Sequence, residues 1–177
     1  NLGIKNIEII QGDALKILPK LIDSILRTSD VPNIENNNFR TSDVQKLKIV
    51  GNIPYYITGH LLRILGESKR KPSLIVLTVQ KEVAQRITTQ PPLMNLLAAS
   101  VQFWAEPEII DYISKKDFRP QPKVDSAIIK LNIRKSDFQK INAEEYYKLI
   151  KILFKQPRKT ILNNLLGNRK QGLETRD

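Results

Sequence analysis

Asn52-Ile53-Pro54-Tyr55 brings together what a planar exocyclic amine needs in order to be alkylated. The lone pair of an adenine amine is delocalised into its ring, so the nitrogen is weakly nucleophilic and gains little from a strong base. It gains from acceptors that hold its two hydrogens and turn the lone pair towards an electrophilic methyl group. An Asn side-chain oxygen and a neighbouring backbone carbonyl, from Ile53 or Pro54, are two such acceptors. Proline adds no donor of its own and stiffens the turn. A tyrosine ring offers a face on which a base can stack. Gly51, just upstream, lacks the side chain that would keep a cofactor from the backbone. The bland alternative is a strand-end turn, since four-residue strings recur by chance. Tyr56 reads equally as a second core aromatic.

Several elements must position these groups. Asn6 to Ile10 is an apolar run ending in Gln11-Gly12-Asp13, which predicts a buried parallel strand and a turn. The carboxyl ends of such strands face the ligand crevice, so Asp13 is a candidate functional residue. An Asx-turn or helix cap is its structural alternative. Helical spacing runs from Ala14 to Leu26, with Pro19 expected to bend or divide it. Leu47 to Gly51 predicts the strand that delivers Asn52, and Leu61, Leu62, Ile64 and Leu65 the inward stripe of the next helix. Ser73 to Val79 is apolar on both faces, as a central parallel strand requires. Helices are expected at Lys81 to Ile87 and Leu96 to Phe103, and strands at Glu108 to Ile113 and Val124 to Ile133. The loop Asp117-Phe118-Arg119-Pro120-Gln121-Pro122-Lys123 is held extended by its prolines. Asn142 then caps a helix from Ala143 to Phe154, and Pro157 opens another ending near Gly167 with a frayed charged tail. The pentapeptide Arg27-Thr28-Ser29-Asp30-Val31 recurs at Arg40 to Val44, marking 27–43 as a duplicated surface insertion.

The chain has 177 residues with 29 Lys and Arg against 18 Asp and Glu, a formal charge of +11 that favours a polyanionic partner. Cysteine is absent and His60 is the only histidine, which removes disulfides, thiol catalysis, Ser-His-Asp chemistry and Cys- or poly-His-ligated metals. No stretch reaches the length of a membrane span, and a cytoplasmic, monomeric protein is expected. The chain opens without Met inside an apolar run, and no G-x-G-x-G fingerprint occurs in it.

Five blocks in order resemble the ribosomal RNA adenine dimethylases, and they cover nearly the whole chain. They are Gly12-Asp13-Ala14, Gly51 to Tyr55, Gln80 to Arg86, Phe118 to Ala127, and Phe154 to Thr160. The late Phe118 block is more specific than N-x-P-Y alone. The resemblance implies an α/β fold: a partial Rossmann-like S-adenosylmethionine-dependent methyltransferase sheet over residues 1–134, with a small C-terminal helical subdomain at 135–177. It implies that Asp13 accepts from the adenine amino group of S-adenosylmethionine, and that Asn52 touches both the cofactor's methionine end and the target amine. Tyr55 would stack on one face of the flipped base and Phe118 on the other. Lys81 and Arg86 would lie near RNA, and Gln80 and Glu82 would shape the pocket wall. Lys115, Lys116, Arg119 and Lys123 would contact phosphates, with Lys155, Arg158 and Lys159 as a second patch; solvated surface lysines are the alternative. The implied substrate is small-subunit rRNA or a pre-ribosomal particle. The neighbouring readings are a large-subunit rRNA adenine methyltransferase conferring antibiotic resistance and a non-catalytic rRNA-binding biogenesis factor. Retention of Asp13, Asn52 and Tyr55 argues against the latter.

The resemblance also has gaps. The family's glycine-rich loop and the acidic strand end that holds the ribose would precede residue 1, roughly a third of the doubly wound fold. The chain by itself is therefore expected to bind the cofactor weakly and to be inactive, with one sheet face and edge apolar and exposed. Thr58-Gly59-His60 replaces a Pro-containing turn, and Met94-Asn95 a Tyr-Gly pair.

Overall fold

The computed structural model describes residues 9–27, 47–68, 71–134, 141–156 and 158–171. Four strands form one sheet in the order β1-β2-β4-β3. Strand β1 (Lys48–Asn52) leads through a 3-10 turn (Tyr55–Ile57) and helix α2 (Thr58–Glu67) into β2 (Leu74–Gln80), which lies parallel to it. Helices α3 (Lys81–Thr88) and α4 (Leu96–Gln102) follow, then the antiparallel pair β3 (Ala105–Ile113) and β4 (Ser126–Ile133), with β4 seated against β2. Helix α1 (Ala14–Arg27) precedes this unit; α5 (Ala143–Leu153) and α6 (Ile161–Gln171) close it.

Alternation in the strands decides where the core lies. Ile75, Leu77 and Val79 of β2 and Ala127, Ile129 and Leu131 of β4 are buried on one face against Leu61, Leu62, Leu65, Ala84, Ile87 and Val101 of the helices. The opposite face carries Val50 beside Val76, with Lys130 next in register, and Thr78 beside Ile128. Val50 on edge strand β1 is 80% exposed. The uncovered face expected from the sequence is present among the described residues, but it is mixed rather than apolar, since Lys48, Asn52, Thr78, Gln80, Lys130 and Asn132 share it with Val50 and Val76.

Several expectations need correction. Ile9 and Ile10 are not in a strand and Ile9 is 90% exposed; the rest of the 6–10 run, like the 28–43 part of the insertion, lies outside the described residues. Pro19 sits inside an undivided α1: the ring deletes one backbone donor, and burial of Ile22 with its neighbours holds the helix together. Strand β2 is not apolar-buried on both faces, because its second face is only half-covered, and it is parallel on one side and antiparallel on the other. Strand β3 starts before Pro107, which an edge strand tolerates because the missing donor would point away from β4. Helix α6 begins at Ile161 and passes through Gly167 to Gln171; Pro157 lies outside the described residues. One glycine costs about 1 kcal/mol in a helix, which weakens it without stopping it.

Local caps fix the connections. Asn95, which departs from the family pattern, caps α4 and ties it to α3. Its Oδ1 accepts from Ala98 N–H at 3.0 Å, and its Nδ2 donates to the Arg86 carbonyl at 2.8 Å. Asn142 Oδ1 accepts from the Glu144 and Glu145 N–H groups, the N-cap anticipated for α5. Helix α5 docks through aromatic contacts: the Tyr146 ring stacks on Phe103 at 4.1 Å, and Tyr147 meets it edge-on at 5.8 Å. Burial pushes the Tyr147 hydroxyl up to about 12. Gly66 of α2 is packed under the same cluster, where an added Cβ would stand 2.5 Å from Trp104 Nε1 and 2.6 Å from Tyr147 Oη. Gly66→Ala is therefore expected to destabilise the fold by about 1–3 kcal/mol despite alanine's better helix propensity, read as a lower urea midpoint at unchanged slope.

Candidate active site at one end of the sheet

Strand register places the chemistry-bearing blocks at a common end. Asn52 closes β1 and pairs with Thr78, which pairs in turn with Ile128. Gln80 closes β2 and pairs with Ser126, the first residue of β4; Ser126 also pairs with Ile113, the last of β3. The Phe118 loop joins Ile113 to Ser126 and so leaves the sheet at this end. Because partners in register share a face, Asn52, Thr78, Gln80, Ser126 and Ile128 all belong to the open face. Three blocks far apart in sequence thus come together.

Two bonds tie them. The Ile57 N–H donates to the Pro54 carbonyl at 3.1 Å, closing the turn that carries Tyr55. Tyr55 Oη and Ser126 Oγ share a hydrogen bond of 2.6 Å, joining the Asn52 segment to the Phe118 block. Ser126 is fully buried, whereas Asn52 is exposed at the strand end and Tyr55 half-buried. The sequence did not single out Ser126, although a lone hydroxyl heading a run of β-branched residues was its available signal. Gly51 has a packing explanation beside any ligand: a Cβ there would stand 3.2 Å from Ile53 Cγ2 and from Leu77 Cδ2.

The base of the Phe118 loop is anchored by hydrogen bonds. Ser114 Oγ accepts from Lys116 N–H at 3.3 Å and caps a 3-10 turn (Lys115–Asp117). Asp125 Oδ1 accepts from Lys115 N–H at 3.1 Å, and the Asp125 carbonyl from Lys81 N–H at 3.0 Å, so the loop base and the start of α3 share one anchor. Phe118 follows, half-buried, in extended backbone. At the base of the loop lies an open cleft of about 390 Å³ whose lining includes Gln80, Lys81, Glu82, Lys115, Lys123 and Asp125. The Lys81 ammonium lies 5.1 Å from the Tyr112 ring centroid. Lys116 and Arg119 are exposed on the loop outside this cleft lining.

Other candidates lie apart. Arg86 faces a second, apolar cleft of about 260 Å³ between α2, α4 and α5, with Glu82 Oε1 at 3.9 Å from its Nη1. Lys155, Arg158 and Lys159 are exposed on the α5–α6 connection, where Asn164 holds the turn through the Leu153 and Gln156 carbonyls. Asp13 takes the capping geometry weighed as its alternative: Oδ1 accepts from Leu15 N–H at 2.9 Å, while the side chain stays 51% exposed. Gly12 before it has φ +154°, and a Cβ there would stand 2.3 Å from Ile17 Cδ1, so the turn into α1 requires glycine. His60 is exposed on α2. Among the described residues no group of three or more His, Cys, Asp or Glu could hold a metal, and no helix is long and apolar enough to cross a membrane.

Comparison with known proteins places the chain among relatives of one kind. The family model for ribosomal RNA adenine dimethylase matches residues 2–176. The ribosomal RNA small subunit methyltransferase A of Bacillus pumilus is 35% identical, over 94% of this chain and 53% of its own length. That of Dehalococcoides mccartyi is also 35% identical, over 97% of this chain and 65% of its own. The chain spans about half the length of such relatives. Among solved structures, a dimethyladenosine transferase from Plasmodium falciparum superposes with a TM-score of 0.68 at 27% identity, covering 96% of this chain and 56% of that one. The 23S rRNA methyltransferase ErmE gives 0.54 at 26% identity, covering 84% and 63%.

Proposed function

The chain belongs to the ribosomal RNA adenine dimethylases, and from that membership we propose that its protein transfers methyl groups to the N6 amines of two adjacent adenosines near the 3′ end of small-subunit rRNA. The observation that carries the reading is the Tyr55–Ser126 hydrogen bond, which couples the amine-holding segment to the Phe118 loop at one sheet end. The names of the curated relatives favour the small subunit, and the lower superposition on the 23S enzyme agrees.

Asn52 and a backbone carbonyl hold the two amine hydrogens. Pro54 already accepts from Ile57, so the Ile53 carbonyl is the better second acceptor. Tyr55 and Phe118 fix the plane of the base from its two faces. Asp13 and Asn52 fit the cofactor in donor chemistry, since both present exposed acceptors. When bound, S-adenosylmethionine supplies the electrophilic methyl carbon, with Asp13 at its adenine amino group and Asn52 at its methionine end. Lys81, Lys115 and Lys123 bring positive charge to the cleft beside the loop, and Lys116 and Arg119 extend it. Arg86 and the helical subdomain at 135–177, through Lys155, Arg158 and Lys159, add further phosphate contacts. The protein acts as a cytoplasmic monomer on RNA or a pre-ribosomal particle.

Nucleoside mass spectrometry after incubating the full-length protein and S-adenosylmethionine with undermethylated subunits tests this directly. Dimethyladenosine should appear in small-subunit rRNA. Modification confined to large-subunit rRNA would move the protein to the neighbouring activity, and no modified adenosine would support the non-catalytic alternative. Lys115→Gln and Lys123→Gln should each weaken RNA binding evenly across sequences and lower the slope of log affinity against log salt by about 1. A filter-binding series from low to high salt reads that slope.

A further inference from the structure

We propose that Ser126 is a positioning residue for the methyl-transfer reaction, acting through Tyr55 by holding the plane of its ring; this rests on the functional reading above. Tyr55 is fixed at its backbone by the turn that the Ile57 N–H closes on the Pro54 carbonyl. Fixing the backbone leaves the ring free to turn about its side-chain torsions, which would spoil a stacking platform. The second anchor is at the far tip of the same side chain, where Oη and Ser126 Oγ lie 2.6 Å apart. The two anchors fix the long axis of the ring, and because a phenol hydroxyl keeps its hydrogen bond close to the ring plane, the bond to Ser126 also favours one orientation about that axis.

Ser126 is suited to be the fixed end. It is fully buried, and its backbone lies between two strands, in register with Gln80 of β2 and Ile113 of β3. Its hydroxyl, shut away from water, has strong reason to keep its bond to the phenol, since an unpaired buried hydroxyl is costly. The phenol reaches it from the half-exposed side. Ser126 is also where the Phe118 loop re-enters the sheet. Its hydroxyl therefore ties the ring on one side of the base to the root of the loop that carries the ring on the other. The reaction demands an amine aligned with a methyl group, so small errors in base plane cost rate more than affinity.

In the full-length protein, Ser126→Ala should lower kcat on the order of tenfold while KM for RNA stays within about twofold. Tyr55→Phe keeps the ring and deletes the same bond, so it should give a similar loss, and the double variant no more than either alone. RNA with 2-aminopurine at the target position should fluoresce more strongly when bound to Ser126→Ala than to wild type, reporting a looser stack. The tether itself is read without RNA: in protein carrying 13C-labelled tyrosine, the Tyr55 ring signals should shift in Ser126→Ala. Unchanged ring signals, an unchanged kcat, or single-variant losses that multiply in the double would each overturn the proposal. Absence of methyl transfer by the wild-type protein, with the ring signals still shifting, would overturn the functional reading and leave the tether standing.

Discussion

In the full-length protein, Asn52→Ala is expected to lower the single-turnover rate of methyl transfer by a factor on the order of 100 to 1,000 while RNA affinity stays within about twofold. The size follows from the role proposed for the side chain, in which its oxygen holds an amine hydrogen at the moment the nitrogen's lone pair must leave the ring. The selectivity follows from where it sits. Among the described residues Asn52 is exposed at the end of β1, with Thr78 beside it in register, so its truncation opens no cavity among them. RNA affinity is assigned instead to charges such as Lys115 and Lys123 in the neighbouring cleft. Rapid-quench transfer of a radiolabelled methyl group and filter binding on the same preparation separate the two quantities. Equal loss of both would move Asn52 from chemistry to folding.

Loss of the stacking surface should come next in magnitude. An aromatic platform contributes about 1–3 kcal/mol per base, so Tyr55→Ala should reduce kcat/KM by about 10- to 100-fold, and Phe118→Ala by a similar factor. Tyr55→Phe, which keeps the ring, should lose less than Tyr55→Ala. Because the two rings are assigned to opposite faces of one base, the combined Ala variant should lose less than the product of the single losses. Steady-state transfer to an oligonucleotide substrate measures all four. Full additivity would mean that the rings act at separate places.

Much of the frame was legible from pattern. β-branched runs and alternation located β2 and β4, helical stripes located α2 to α5, and Asn142 announced its cap. What failed did so where tertiary context outweighs local chemistry. Proline is a breaker in isolation, yet Pro19 lies within a helix and Pro107 within an edge strand. Apolar composition at 74–80 marked a strand but could not give the direction of its partners, and β2 has one of each kind. The run from Glu108 to Ile113 marked a strand but not the register shift between Ile109 and Asp111, where Ile110 is half-exposed.

The site divides in the same way. N-x-P-Y announced itself because its residue types are unusual together, and the Phe118 loop because its two prolines are. Their meeting could not be read from either segment, because it depends on the antiparallel insertion of β4 beside β2. Ser126 escaped notice for the same reason: a serine at a strand start is common, and only the fold brings a phenol to it. Asp13 and Gly51 show the converse. Their types suggested a cofactor, and each also has a local structural role, as a helix cap and as a close-packed backbone.

Photocrosslinking the target base tests whether Asn52, Tyr55 and Phe118 converge on one adenine. A small-subunit rRNA fragment carrying 8-azidoadenosine at the target position would be bound to the full-length protein, irradiated and mapped by peptide mass spectrometry. Convergence should give labelling in the peptides containing Tyr55 and Phe118, and loss of that labelling when unmodified target RNA competes. Labelling confined to peptides containing Arg86, or Lys155 to Lys159, with none at Tyr55 or Phe118, would refute it.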